Sequence, residues 1–239
     1  MSDLDFLPGR IRMSRRGLVL TTCAAAVATL VPVLPNRFSI GQAFAQRSTG
    51  PTEVPIDELM KPGDLPDVVL GPAEAKVTVV EYASMTCGHC ATFHTKVFPD
   101  IKKKYIDTGK IRFVMREFPL DNLAAATSML ARCASPEKTG EKTYALIDTF
   151  FSKQADWAFK EGSPVPRLFE IAKQAGFTQE SFDKCLTDQK LLDQVQAIRN
   201  RASEKFGVSA TPTFFVNGKR LPGPTLADFE KAIDPLLAQ

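Results

Sequence analysis

The sequence predicts an α/β fold with an all-helical unit inserted into it, and three observations carry that prediction. A β-branched apolar run at Val77, Val79, Val80 and Tyr82 leads into a segment with helical spacing at Phe93, Val97 and Ile101. A second alternating run follows at residues 111–118 (IRFVMREF), and a strand–helix–strand order calls for a right-handed parallel crossover. Residues 121–206 then show helical spacing alone, before residues 208–217 return to strand character.

Residues 1–45 read as an export signal outside the fold. Ser14-Arg15-Arg16 precedes an Ala-rich apolar run broken by Pro32 and Pro35, and Ala43-Phe44-Ala45 has the small-x-small form of a signal-peptidase site. A membrane anchor is the competing reading, but the run is short and proline-broken. The paired arguments for route are Tat, from the twin arginines before Gly17-Leu18-Val19-Leu20, and Sec, because Leu18 stands where Phe is usual. Cys23 leaves with the signal. The chain as a whole carries a net charge of +3, but 25 basic and 25 acidic residues remain beyond residue 45. Such a balance gives no electrostatic case for a nucleic-acid or anionic-membrane partner.

Residues 46–66 are polar and proline-punctuated and read as a linker or N-terminal arm, with one helical turn at Ile56–Met60. Residues 67–71 make a short first strand, and Gly71-Pro72 a turn. The α/β domain is expected to comprise residues 67–120 and 207–239, with residues 121–206 as the helical insert. Within the insert, helices are expected over residues 121–132, 141–151, Val165–Gln174, Gln179–Leu186 (capped by Thr178) and 190–206, the last stopped by Gly207. Phe150, Phe151, Trp157 and Phe159 are expected in its core. Asn217-Gly218 marks a hairpin after the strand Thr213–Val216, and Thr225 caps a final helix carrying Phe229, Ile233, Leu236 and Leu237.

The chemistry concentrates at Cys87-Gly88-His89-Cys90, between the first long strand and its helix. The i,i+3 spacing brings the two sulfurs together on a first helical turn, close enough to bond. At the helix N-terminus, unpaired N–H groups and the helix dipole stabilise a Cys87 thiolate, and His89 can add a proton or hydrogen bond. A stabilised thiolate favours the reduced dithiol and makes the disulfide an oxidant. The dithiol carries the electrons itself, so no cofactor and no metal are expected. The competing reading is a metal site or metal chaperone with His94 as third ligand. Against it, the chain has no second Cys-x-x-Cys, and His89 and His94 are its two histidines. Ala91 stands where c-type haem attachment needs His. His94 is expected as a surface or packing residue. Cys133 and Cys185 fall on the apolar sides of two predicted helices; either they are buried free thiols or, in an oxidising compartment, a structural disulfide.

A Cys-x-x-Cys on a strand-to-helix turn, with Thr211-Pro212 leading into a Phe-Phe-Val-Asn-Gly hairpin, is the thioredoxin-fold pattern. With the export signal and the inserted helices, the chain from about Pro66 onwards resembles the DsbA family of bacterial thiol:disulfide oxidoreductases. The resemblance implies that Cys87 is the exposed nucleophile and Cys90 its buried resolving partner, with Gly88 and His89 tuning the potential. It further implies that Pro212 is a cis-proline facing the sulfurs and that Thr211 offers backbone hydrogen bonds to a substrate strand. Glu81 lies six residues before Cys87, where the family has a buried acid that exchanges protons with the resolving cysteine; the plainer alternative is a carboxylate at a strand end facing water. The implied partners are reduced or misoxidised exported proteins in the periplasm and a DsbB-type membrane oxidase, with the protein a monomer. Gly-His replaces the familiar Pro-His of DsbA, and Thr precedes the proline as in isomerase-type relatives. These two departures keep open an isomerase or reductase fed by a DsbD-type donor.

Overall fold

The structure, a computed structural model, describes residues 50–239; the signal reading of residues 1–45 and the start of the arm lie outside the described residues. A five-stranded sheet runs in the order β1-β3-β2-β4-β5, with β1 at Val68–Leu70, β2 at Val77–Ala83, β3 at Ile111–Glu117, β4 at Thr213–Val216 and β5 at Lys219–Arg220. Only β2 and β3 pair in parallel, as the crossover between them requires; β1, β4 and β5 join antiparallel. The period-two alternation of β2 sends Val77 and Val79 to one face and Val80 and Tyr82 to the other. Both faces are covered, so both sets are buried.

The crossover is α2 (Gly88–Lys96) followed by α3 (Phe98–Ile101) and a wider π turn at Lys102–Ile106. One continuous helix through Phe93, Val97 and Ile101 is therefore interrupted. Pro99 sits in the first turn of α3, where its missing N–H costs nothing, whereas inside a longer helix it would lose a bond to the preceding turn.

The helical segment comprises α4 (Asn122–Cys133), α5 (Gly140–Ser152), α6 (Gln154–Trp157), α7 (Val165–Gln174), α8 (Gln179–Leu186) and α9 (Gln189–Phe206). Asp121 caps α4 by accepting from the Ala124 N–H at 2.8 Å, and Thr178 and Ser181 form a reciprocal capping box on α8. Gly207 ends α9 in the left-handed region at φ 61°, where a Cβ would come within 2.5 Å of the Pro51 ring. The short α6 was not anticipated. Phe150, Phe151 and Trp157 are buried as expected, but Phe159 is not: it is 65% exposed. It follows α6 in the connection to α7, where helical spacing no longer governs direction.

These helices and α10 (Leu226–Leu237) share one apolar core with the β2–β3 face that carries Val79, Phe113 and Met115. The opposite face packs Val80, Tyr82, Val114 and Phe215 against Ala202 and Phe206 of α9 and against the N-terminal arm. That arm carries α1 (Ile56–Met60) and buries Val54 and Leu59, and Val54 N–H donates to the Gly218 carbonyl at 2.9 Å. Residues 54–65 are thus a docked arm. Cys133 at the end of α4 and Cys185 in α8 are disulfide-bonded, with Cα atoms 6.2 Å apart.

Candidate active site

Strand β2 delivers its chain to a short connection, residues 84–86, and Cys87 becomes the N-cap of α2. The connection is held from three directions. Ser84 Oγ accepts from the Leu120 N–H at 3.3 Å, and Thr86 Oγ1 donates to Asp121 at 2.7 Å. From α6, the buried Gln154 amide donates to the carbonyls of Met85 at 2.8 Å and Cys87 at 3.0 Å. Nothing in the sequence pattern marked Gln154, because its partners are backbone atoms more than sixty residues away.

Cys87 and Cys90 are both free thiols here. Cys90 is fully buried, and Cys87 retains 9% exposure, less than the exposed nucleophile that the resemblance implied. The two sulfurs differ in acidity. The Cys87 pKa is lowered to about 5, first by a hydrogen bond with Cys90; burial opposes this, and the Thr211 side chain and the backbone N–H groups of Cys90 and His89 add to it. Those two N–H groups are the unpaired amides of the first turn of α2. Cys90 is pushed well above the usual thiol range, chiefly by burial, then by the hydrogen bond and negative charge of Cys87 and by the charge of Glu81. Such a pair separates one thiolate from one thiol near neutral pH.

Gly88 and His89 are exposed on the same turn. His89 serves Cys87 through its backbone N–H, while its side chain makes none of the site's hydrogen bonds. The Thr211–Pro212 peptide bond is cis, and the Thr211 carbonyl accepts from the Cys87 thiol at 3.3 Å. The Thr211 hydroxyl is buried and otherwise without a partner.

Glu81 lies on the Cys90 side of β2 and is fully buried rather than facing water at a strand end. His94 is also buried, the packing placement of the two that were expected, and its Nε2 lies 3.1 and 3.0 Å from the two carboxylate oxygens of Glu81. Nε2 is thus engaged by Glu81, and no group of three or more His, Cys, Asp or Glu side chains is placed to hold a metal among the described residues. Tyr144 of α5 places its hydroxyl 3.4 Å from His94 Nδ1. His94 follows Cys90 by one helical turn, a spacing that could have flagged it; Tyr144 carried no sequence signal. No helix among the described residues is long and apolar enough to cross a membrane.

A central parallel strand pair, antiparallel β4 and β5, and a dithiol at a helix N-terminus beneath a cis-proline define the thioredoxin fold, with a helical segment between β3 and β4. The family model described as thioredoxin matches residues 64–235. The crystal structure of alpha-DsbA1 from Wolbachia pipientis is similar at 33% identity and a TM-score of 0.69, covering 76% of this chain and 96% of that one. A relative in Rickettsia bellii named as a protein-disulfide oxidoreductase is 36% identical over 173 residues; the chain spans 72% of its own length there and 65% of the relative's. Disulfide bond formation protein D of Bacillus subtilis is 30% identical over 167 residues, covering 68% of this chain and 72% of that protein. The chain belongs to the thioredoxin family and, within it, to the DsbA-like thiol:disulfide oxidoreductases.

Proposed function

We propose that the protein is an exported, periplasmic dithiol oxidase that donates its Cys87–Cys90 disulfide to reduced proteins after their export. A substrate thiolate attacks Cys87, the Cys87–Cys90 bond breaks, and a mixed disulfide joins substrate to Cys87. A second substrate thiolate then attacks the substrate's sulfur, releasing an oxidised substrate and the reduced enzyme. A DsbB-type membrane oxidase takes the two electrons from the dithiol and restores the disulfide. The single observation that supports this reading best is the inequality of the two thiols, with Cys87 lowered to about 5 and Cys90 raised. Stabilising the Cys87 thiolate makes it the better leaving group and favours the reduced form, so electrons flow from substrate to enzyme.

The Gly88-His89 pair and Thr211 before Pro212 favour a second reading, a disulfide isomerase or reductase kept reduced by a DsbD-type donor. The equilibrium reduction potential in a glutathione buffer separates the two. Reference values run from about −270 mV for thioredoxin through about −180 mV for protein disulfide isomerase to about −120 mV for DsbA. A potential above about −180 mV is expected; a value near that of thioredoxin overturns the oxidase reading.

A further inference from the structure

The inserted helices reach the reactive turn through Gln154, a polar side chain in an apolar setting. It opens the four-residue helix α6 and is 4% exposed. A buried amide is costly unless its polar atoms are bonded. Its Nε2 donates to two backbone carbonyls of the reactive turn, Met85 at 2.8 Å and Cys87 at 3.0 Å. The amide is steadied from behind, since the buried Trp157 indole donates to the Phe150 carbonyl at 2.8 Å and ties α6 to α5. Each of the two carbonyls sits where its direction matters. The Cys87 carbonyl also accepts the Ala91 N–H at 3.1 Å, the first bond of α2, so its orientation sets how that helix starts. The Met85 carbonyl lies inside the turn that the Cys87 N–H closes on the Ser84 carbonyl at 3.1 Å. Met85 is buried, and without Gln154 its carbonyl would have to turn away to find a partner.

We propose that Gln154 is a positioning residue for the reactive thiol: by fixing the Met85 and Cys87 carbonyls it holds the first turn of α2 so that the His89 and Cys90 N–H groups stay aimed at the Cys87 sulfur. The inference rests on the dithiol-exchange reading above. In that exchange Cys87 is the sulfur released when a second substrate thiolate attacks the substrate half of the mixed disulfide. The electron pair of the broken bond stays on Cys87, and donors already in place hold that charge. The His89 and Cys90 N–H groups are among the causes of its lowered pKa, and their direction follows from how the first turn of α2 begins. The Gln154 amide also offsets the partial negative charge of two carbonyls next to a forming thiolate. It is neutral, so it acts through these dipoles and brings no charge of its own. Among titratable groups, Cys90 of the same helix bonds Cys87, and Glu81 of β2 acts on Cys90. On this account the helical insert takes part in tuning a thiol that belongs to the strand–helix unit.

The test compares wild type with Gln154→Met, which keeps the length of the side chain and loses both donors, and with Gln154→Ala, which leaves room for a water to donate to the same carbonyls. Val195→Ala, in the buried face of α9, is the control that lowers stability away from the turn. Cys87 ionisation is read by thiolate absorbance, the dithiol–disulfide equilibrium in a glutathione buffer, and stability by the urea midpoint. Gln154→Met should raise the Cys87 pKa from about 5 by about one pH unit. The reduced form is then favoured about tenfold less at pH 7, a potential lower by about 30 mV. Gln154→Ala should shift both in the same direction by less, and Val195→Ala should lower the urea midpoint alone. Should both Gln154 variants keep the wild-type titration and equilibrium, Gln154 only fills space under the turn; the proposal is overturned and the exchange reading stands. Should wild type itself fail to equilibrate with glutathione, the exchange reading falls, and the thiolate titration still decides whether Gln154 acts on Cys87. Alanine forces no apolar atom against the carbonyls, so misfolding of the methionine variant alone would not decide the matter.

Discussion

Arg132 lies in α4 with its guanidinium fully buried, held by Glu117 of β3 at 2.8 Å and by the Lys138 carbonyl at 2.6 Å. The same residue type on an exposed helix end would add little. Buried, it balances a carboxylate that has no other charged neighbour among its hydrogen bonds. Arg132→Met should cost about 3–5 kcal/mol by stranding the Glu117 charge, seen as a lower urea midpoint, and adding Glu117→Leu should recover much of that loss. A double variant no more stable than the single one would mean that the pair contributes through packing. Phe159 shows the converse at the same scale. An aromatic residue beside a helical apolar run was expected inside, yet it lies 65% exposed, because the chain has left the helix two residues earlier. Periodicity gives the facing of a residue only while the element that sets the period continues.

Between elements, the disulfide from Cys133 to Cys185 ties α4 to α8 across 52 residues. In the chain-entropy account a loop of that size stabilises by about 4 kcal/mol, often less in practice. Cys133→Ala/Cys185→Ala is therefore expected to lower the thermal midpoint while leaving the Cys87–Cys90 potential unchanged, because neither sulfur takes part in the hydrogen bonds around Cys87. A shift of the potential in the variant would link the two cysteine pairs. Helix α6 makes the complementary point. It is four residues long and has no side-chain cap, yet its Gln154 amide holds two carbonyls of the reactive turn. Its existence depends on what it packs against, so no local propensity revealed it.

For the whole molecule, the ionisation of Cys87 couples redox state to stability. Its pKa in the folded, reduced protein lies near 5, against an ordinary thiol value of 9.0. A lowered acid pKa contributes stability that is complete above the unfolded value and is lost as pH falls through the folded one. Relative to the disulfide form, the reduced protein should thus gain stability from pH 5 towards pH 9, by about 2 kcal/mol at pH 7 once the screening at a partly accessible sulfur is allowed for. Denaturant unfolding of both redox forms at pH 5 and pH 7 checks this. A difference that does not change with pH would show that Cys87 is not ionised in this window. Cys90 acts in the opposite sense only at the upper end: its folded pKa is raised, so it takes stability away as pH rises through the ordinary thiol value of 9.0 and leaves the comparison of pH 5 with pH 7 untouched.

The sequence by itself determined the α/β class, the bounds of Val165–Gln174, Gln179–Leu186 and Thr213–Val216, and the position of the Cys87–Cys90 pair at a strand-to-helix turn. Each of these rests on local chemistry: side-chain period, caps such as Thr178, and an i,i+3 spacing that any helical turn enforces. Tertiary structure alone decided that Glu81 pairs with His94, that Tyr144 approaches the same ring, that Gln154 reaches the reactive turn and that Arg132 is buried on Glu117. Those partners come from different elements brought together by the β2–β3 crossover and by the helices packed on one face of the sheet. The period of a chain tells which face a side chain takes, but which element covers that face is set only when the layers assemble.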